Sequence, residues 1–283
     1  MQNIAYYNGQ IAPIEEMHVP MMDRGFYFGD GIYDVAYARN HIIYALEEHV
    51  DRFYRCLGEV DINPPMPREQ LIELLCSLSA KVDDGEQLVY WQGTRGSALR
   101  VHAYEENDKP CNLAVMIRPA KLKPVYQPIR LISAEDKRFL YCNIKTICLL
   151  PSVLTSQMAQ RAGVDETVLH RGERVTECAH SNISILKDGA FITAPADEYI
   201  LPGTGRAHLL AACRTLGIPT EERIYTMDEL RDADEVIVSS ASALCLAACE
   251  LDGKPIGGRD ATNLRRLQDY LLNDWLSKTD VKQ

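Results

Sequence analysis

Ile183-Ser-Ile-Leu-Lys-Asp-Gly-Ala-Phe-Ile-Thr193 holds two short β-rich runs, Ile183 to Leu186 and Ala190 to Thr193, on either side of Lys187-Asp188-Gly189. An Asp-Gly pair supplies the positive φ that a tight hairpin turn requires. Neighbouring strands here are therefore antiparallel and joined directly, not parallel and joined through a helix. Downstream, a helix over Arg206 to Leu216 stops at Gly217, and Thr226-Met-Asp-Glu229 has the spacing of a capping box that opens a short helix. A strand at Glu235 to Ser240 follows, and Leu264, Leu267, Leu271 and Trp275 form the apolar stripe of a closing helix.

Upstream of the hairpin lie a strand at Thr167 to His170, a helix from about Pro151 ended by Gly163, and a strand at Ile129 to Ser133. Pro119 to Pro128 has three prolines, two lysines and no periodicity, which marks a linker. Before it, Leu46, Val50, Phe53, Leu57 and Val60 repeat at spacings of 4, 3, 4 and 3, and Leu71, Leu74, Leu75, Leu78 and Val82 continue the helical period. Leu88 to Gln92, Leu99 to Tyr104 and Leu113 to Ile117 read as strands, and Ala5 to Val19, broken at Asn8-Gly9 and Pro13, reads as paired strands. Hairpins outnumber strand-helix-strand crossovers, so the expectation is α+β in two domains, each a mixed or antiparallel sheet with helices. The small N-terminal domain spans 1–118, the linker 119–128 and the larger C-terminal domain 129–283. No internal repeat is present.

With 283 residues, 46% of them hydrophobic and 25% charged, the composition is that of an ordinary folded protein. A net charge of −10 argues against nucleic acid and anionic membrane as partners. The apolar run Ala241 to Cys249 is far shorter than the ~20 residues of a membrane span, and Met1 to Tyr7 has no basic region with an apolar stretch behind it. Nine cysteines without a Cys-x-x-Cys pair read as reduced thiols of a cytoplasmic protein. The seven histidines are scattered, and no structural metal is expected.

Lys145 sits in Cys142-Asn-Ile-Lys-Thr-Ile-Cys-Leu-Leu150, where nearly every neighbour favours burial. Desolvation disfavours an ammonium, and an amine so placed suits Schiff-base chemistry with a carbonyl cofactor; a lysine snorkelling off a strand edge is the plainer alternative. Glu177 ends a β-like run ahead of small residues and Asn182. It is a turn glutamate, or the carboxylate that a pyridine-ring cofactor needs opposite its ring nitrogen. Leu201-Pro-Gly-Thr-Gly-Arg206 runs straight into a helix, which makes either a routine loop or an anion site at the helix N-terminus. Ser239 and Ser240 end a strand, as turn residues or as hydroxyl donors. Arg52 follows His49 by three positions on one helix face and, by itself, reads as a solvated arginine near Asp51 and Glu48. In Leu99-Arg-Val-His-Ala-Tyr104 an extended backbone points Arg100 and His102 the same way, and with Tyr33 they make a carboxylate clamp or else the polar face of an edge strand.

Asp23-Arg-Gly-Phe-Tyr-Phe-Gly-Asp-Gly-Ile-Tyr33, Glu48-His-Val-Asp-Arg52, Thr94-Arg-Gly-Ser, Arg100-x-His102, Asn143-Ile-Lys-Thr146, Val175-Thr-Glu177 and Leu201-Pro-Gly-Thr-Gly-Arg206 occur in one order along nearly the whole chain. Together they resemble the fold-type IV pyridoxal-phosphate enzymes, and most closely the D-amino-acid transaminases. The resemblance implies pyridoxal 5'-phosphate as cofactor, with Lys145 joining it as a Schiff base and moving the α-proton, and Glu177 holding the ring nitrogen. It assigns the phosphate to Arg52, the backbone of Thr204 and Gly205 and the side chain of Ser240, and the substrate carboxylate to Tyr33, Arg100 and His102. In such enzymes the Arg-x-His pair reaches in from the neighbouring subunit, so a homodimer with its active site at the domain and subunit junction is implied. The substrates are then D-amino acids such as D-alanine and 2-oxo acids such as 2-oxoglutarate.

The chain departs from that pattern in places. Cys178, Ala179 and His180 stand where close relatives carry a glycine and serines, and Gly205 and Ala241 where D-specific relatives often carry threonines. The rivals within the fold are the branched-chain L-amino-acid transaminases, which usually have a tyrosine where this chain has Leu150 and lack the Arg-x-His pair, and aminodeoxychorismate lyase. A non-catalytic phosphate-binding protein of the same fold is the rival outside enzymes.

Overall fold

Asp188 and Gly189 both take positive φ, 50° and 77°, and the strands on either side pair antiparallel with Lys187 opposite Ala190. The hairpin turn is the one expected from Asp-Gly. The computed structural model describes residues 1–106 and 109–281. It divides the chain into two compact units: Met1–Lys121 with Ile144–Cys148 and the chain from Ser277 onward, and Leu122–Asn143 with Leu149–Leu276. The return of Ile144–Cys148 to the first unit is a feature that a single boundary within 119–128 has no means to express.

The first unit is built on an antiparallel sheet of β1 (Ile4–Tyr7), β2 (Gln10–Ala12), β3 (Gly31–Arg39), β4 (Ile42–Ile43), β5 (Gln87–Thr94) and β6 (Asn112–Pro119), in the order β2-β1-β6-β5-β3-β4. Between them come the short α1 (Arg24–Phe28) and the amphipathic α2 (Leu46–Glu59) and α3 (Arg68–Ser79). Val50, Phe53 and Leu57 of α2 and Leu71, Leu75 and Leu78 of α3 are fully buried, together with Ile32 and Ala36 of β3 and Val89 and Trp91 of β5. At about 25 cal/mol per Å² this apolar burial is the main term holding the unit together. Two expectations are corrected. The stretch to Val19 contains only the β1-β2 pair and then a single 3-10 turn, Ile14–Glu16. Leu99 to Tyr104 is not a strand: it has no sheet partner, and the guanidinium of Arg24 instead collects the carbonyls of Val101 (2.7 Å) and His102 (3.0 Å).

The second unit carries a mixed sheet. Its strands are β7 (Ile129–Glu135), β8 (Glu166–Arg171), β9 (Arg174–Cys178), β10 (Asn182–Lys187), β11 (Ala190–Thr193), β12 (Thr220–Glu222), β13 (Glu235–Ser240), β14 (Ala243–Leu251) and β15 (Lys254–Pro255). The order is β12-β11-β10-β13-β14-β7-β8-β9, with β15 on β14. Pairs β11-β12, β14-β7 and β7-β8 are parallel and the rest antiparallel. The helices are α4 (Leu150–Ala162), α5 (Thr204–Leu216), α6 (Met227–Arg231) and α7 (Ala261–Lys278), the last belonging to this unit as far as Leu276. Gly163 and Gly217 close α4 and α5 in the left-handed conformation, and Thr226 and Glu229 make both bonds of the capping box on α6. Antiparallel strands dominate both sheets, and the class is α+β. Among the described residues no helix is long and apolar enough to cross a membrane.

Candidate active site

β4 pairs only with Ala38 and Arg39 of β3, which leaves the Gly31–Tyr33 end of that strand with an open edge. The segment around Lys145 docks there. Tyr33 N–H donates to Lys145 O at 3.0 Å, Ile147 N–H to Gly31 O at 3.1 Å, and Thr146 forms a bridge with Ile32. From α2, Cys56 Sγ accepts the Lys145 N–H at 3.4 Å. These bonds fix the lysine backbone and send its side chain over Tyr33, with Nζ 4.2 Å from the ring centroid. Tyr33 in turn stacks on Tyr90 at 5.6 Å. An amine over an aromatic face is held by the ring quadrupole without being consumed by a hydrogen bond. The deep burial expected around the lysine is corrected: Lys145 is half-buried and Leu150 is 69% exposed, because a segment lying along a strand edge has the protein on one side only.

Arg52 is not a solvated arginine. It is buried on α2, where Nε and Nη2 donate to Asp34 Oδ2 and Oδ1 at 2.8 and 2.7 Å. His49, one turn earlier, brings Nδ1 to 2.8 Å from Asp34 Oδ1. Burial works to raise the Asp34 carboxyl, but Arg52 and His49 more than offset it and hold the group well below the usual carboxylate range. Burial holds the His49 imidazole below its ordinary value against the pull of Asp34, with Arg52 and Lys145 adding to the decrease. Since the carboxylate only accepts, Nδ1 of the neutral ring carries the proton. Among the described residues Arg52 Nη1 makes no bond to Asp34 or His49, so the fork presents one guanidinium nitrogen for an anion.

Arg100 and His102 stand apart. Both are exposed, the guanidinium 5.2 Å and the imidazole 5.0 Å from the ring of Phe28. Among the described residues no hydrogen bond, ion pair or ring contact joins either of them to Tyr33. The clamp expected from these three residues is not assembled within one chain.

In the second unit Glu177 is 6% exposed near the end of β9. Its Oε2 accepts from Asn182 Nδ2 at 2.8 Å and from Leu201 N at 3.0 Å, and its Oε1 meets Arg138 Nη1. Arg138 grips the fully buried Asp136 through Nε and Nη2, both at 2.9 Å. Burial works against the Arg138 charge, yet Asp136 and Glu177 raise its pKa further above the ordinary arginine value. Asp136, opposed by its own burial, is lowered by Arg138 and Arg171.

The N-terminus of α5 begins at Gly203 with no side-chain cap and no acidic residue in the first turn. A Cβ added at Gly203 would come 2.0 Å from Asn182 Oδ1, and one at Gly205 3.2 Å from both N and O of Ser240. Backbone of the helix start and of the β13 end thus approach as only glycine permits. Ser239 Oγ is buried there without a hydrogen-bond partner among the described residues, and Ser240 Oγ lies 3.2 Å from Ser242 Oγ. An uncapped helix start with hydroxyls beside it fits a phosphate. Arg206, from the same motif, serves the fold: its guanidinium is spent on Thr193, the carbonyl of Ala194 and Glu222.

Sequence reasoning passed over Asp34, Asp136 and Arg138. Asp34 had a usable signal, a charge at an inward position of an alternating strand, whereas Asp136 and Arg138 stand in a polar run with no periodicity.

The family model for amino-transferase class IV matches residues 31–251. A D-alanine aminotransferase of Listeria monocytogenes serotype 4b (strain F2365) is 35% identical over 272 residues, covering 94% of each chain. One of Staphylococcus aureus (strain MSSA476) is 36% identical over 273 residues, covering 93% of this chain and 95% of the relative. Among solved structures, the branched-chain aminotransferase of Thermoproteus uzoniensis with norvaline superposes with a TM-score of 0.88 at 19% identity over 98% of this chain and 96% of the other. A lysine amine over an aromatic ring, a buried carboxylate held by an arginine and an asparagine, and a glycine-lined helix start are thus carried by a chain that belongs to the class IV aminotransferases.

Proposed function

We propose that the protein transfers the amino group of D-amino acids such as D-alanine to 2-oxoglutarate, giving a 2-oxo acid and D-glutamate. The observation that carries the chemistry is the Lys145 amine held 4.2 Å over the Tyr33 ring. The D-hand is supported by relatives at 35% and 36% identity that are D-alanine aminotransferases. The cofactor is pyridoxal 5'-phosphate, which supplies a carbonyl carbon for an amine and a ring that takes up the electron pair left when the α-proton departs.

Each residue then has a task. Lys145 Nζ is the amine that would hold the cofactor through its carbonyl carbon and, when free, the base that would take the α-proton and give a proton back. Tyr33 limits where Nζ can travel. Glu177 would accept from the ring nitrogen and keep its proton in place. Thr204 and Gly205 through their backbone, Ser240 through its hydroxyl and Arg52 through Nη1 hold the phosphate. Tyr33, with Arg100 and His102 of a second copy, holds the substrate carboxylate. Leu99 and Val101, 75% and 58% exposed on either side of Arg100, support a homodimer in which a partner covers this stretch. Nine free cysteines support a reducing, cytoplasmic setting.

The test is a paired assay with D-alanine or L-leucine as donor, 2-oxoglutarate as acceptor and added cofactor, followed by chiral analysis of the glutamate. Pyruvate with D-glutamate is the expected result. Reaction of L-leucine alone, with L-glutamate formed, overturns it in favour of the branched-chain activity.

A further inference from the structure

The carboxylate assigned to the cofactor ring is not free to set its own direction. Oε2 of Glu177 is fixed by Asn182 Nδ2 and Leu201 N, and Oε1 by the guanidinium of Arg138. Arg138 is itself immobilised. Nε and Nη2 form a fork on Asp136 at 2.9 Å each, and Nη2 also donates to the Tyr199 carbonyl at 3.0 Å. Asp136 has no side-chain exposure and takes three further donors, Arg138 N at 3.0 Å, Arg171 Nε at 3.2 Å and Thr176 Oγ1 at 3.1 Å. Arg171 closes the arrangement by donating through Nη2 to the Arg138 carbonyl at 2.8 Å. A surface ion pair has no such construction. Two carboxylates and a guanidinium buried together are costly unless the geometry is filled, and a planar fork transmits that geometry from one carboxylate to the next.

We propose that Arg138, held by Asp136, is a positioning residue for Glu177: it fixes the plane of the carboxylate so that one lone pair is presented to the ring nitrogen. The inference rests on the assignment of Glu177 to that nitrogen. It adds a requirement the assignment alone lacks, a cation with two planar edges at position 138. Lysine carries the same charge but cannot bridge Asp136 and Glu177 as a fork. Carboxylate orientation decides whether the ring stays protonated through the cycle, so its loss falls on turnover and on the absorption of the bound cofactor. Donor binding is touched little, because among the described residues the Arg138 guanidinium bonds Asp136, Glu177 and the Tyr199 carbonyl.

The experiment compares wild type, Arg138→Lys, Arg138→Met and Glu177→Gln as holoenzymes, reading the pH dependence of the bound-cofactor spectrum, the dissociation constant for the cofactor, and kcat against KM. Arg138→Lys is expected to lower kcat roughly tenfold, the lower end of losses from an outer ligand-orienting partner, with KM for D-alanine changed less than about threefold. Its cofactor spectrum should shift toward that of Glu177→Gln, and Arg138→Met should shift further. A lysine variant with the wild-type spectrum and kcat overturns the proposal, whether or not the methionine variant folds. If Glu177→Gln itself leaves the spectrum unchanged, the assignment of Glu177 to the ring fails instead.

Discussion

Asp34 and Arg52 face each other inside the first unit as a two-toothed fork, Nε to Oδ2 at 2.8 Å and Nη2 to Oδ1 at 2.7 Å, with the carboxylate at 0% exposure. One member sits on the inward face of β3 and the other on α2. The pair therefore links sheet to helix by a charge contact in a region otherwise filled with apolar side chains.

Replacing Asp34 by Asn strands the guanidinium, and at pH 7 the variant should lose about 3–5 kcal/mol of stability. The sign of the pH dependence follows from the depressed carboxyl. Its contribution is present above the unfolded value and fades as pH falls through the lower folded value. Denaturant titrations at pH 7 and pH 3 should show the gap between variant and wild type narrowing with acid. A gap that stays constant would mean that the pair stores no pH-linked stability.

His49 titrates the other way round from a histidine that gains a partner. Its folded value lies below the ordinary 6.5, so the unfolded chain binds the proton more readily and stability falls as pH drops below that value. Melting temperature should decline from pH 7 to pH 5 in wild type and decline less in His49→Gln. Equal slopes in the two proteins would remove His49 from the account.

Lys145→Ala should lose turnover by at least ~10²-fold, the lower range for a missing general base, while the circular dichroism spectrum is retained. Substantial turnover in a folded variant would be incompatible with the assigned chemistry.

Arg100→Ala and Lys145→Ala, each expected to be inactive alone, make a sharper pair. If Arg100 serves the partner's site, hybrids contain one intact site, and equal mixing should restore about a quarter of wild-type activity through random pairing. Absence of recovery after exchange of subunits, shown by mass spectrometry, would place Arg100 in its own chain's site.

Gly203→Ala should weaken the second unit by about 1–3 kcal/mol, since the new methyl would come 2.0 Å from Asn182 Oδ1 and push that side chain off Glu177. Thermal denaturation checks the first effect and the spectrum of the bound cofactor the second.

Much of the fold is legible in the sequence, for physical reasons that differ from element to element. Asp188-Gly189 and the capping box at Thr226 are local chemistry, so a few residues suffice to specify them. Helices α2 and α3 follow from periodicity because one face of each is buried. Arg52 misled by itself, because Asp51 and Glu48 are neighbours in sequence while its actual partner, Asp34, lies across a helix-sheet contact. Leu99 to Tyr104 looked like a strand from its apolar alternation, yet alternation also marks a segment with exposed Leu99 and Val101 and no sheet edge to join. Arg138 was invisible since nothing local distinguishes a guanidinium bound for Glu177 from one bound for water.

The segment Ile144–Cys148 completes the open edge of β3, although all six strands of that unit's sheet precede it in the chain. During vectorial synthesis the ribosome delivers β1 to β6 first, then must extrude the lysine segment, and only at the end the residues from Ser277 that join the same unit. A nascent chain halted in the 119–128 stretch would hold a nearly finished sheet without the one amine its chemistry needs. The order of emergence thus keeps the reactive lysine away from its docking edge until the polypeptide has grown past residue 145.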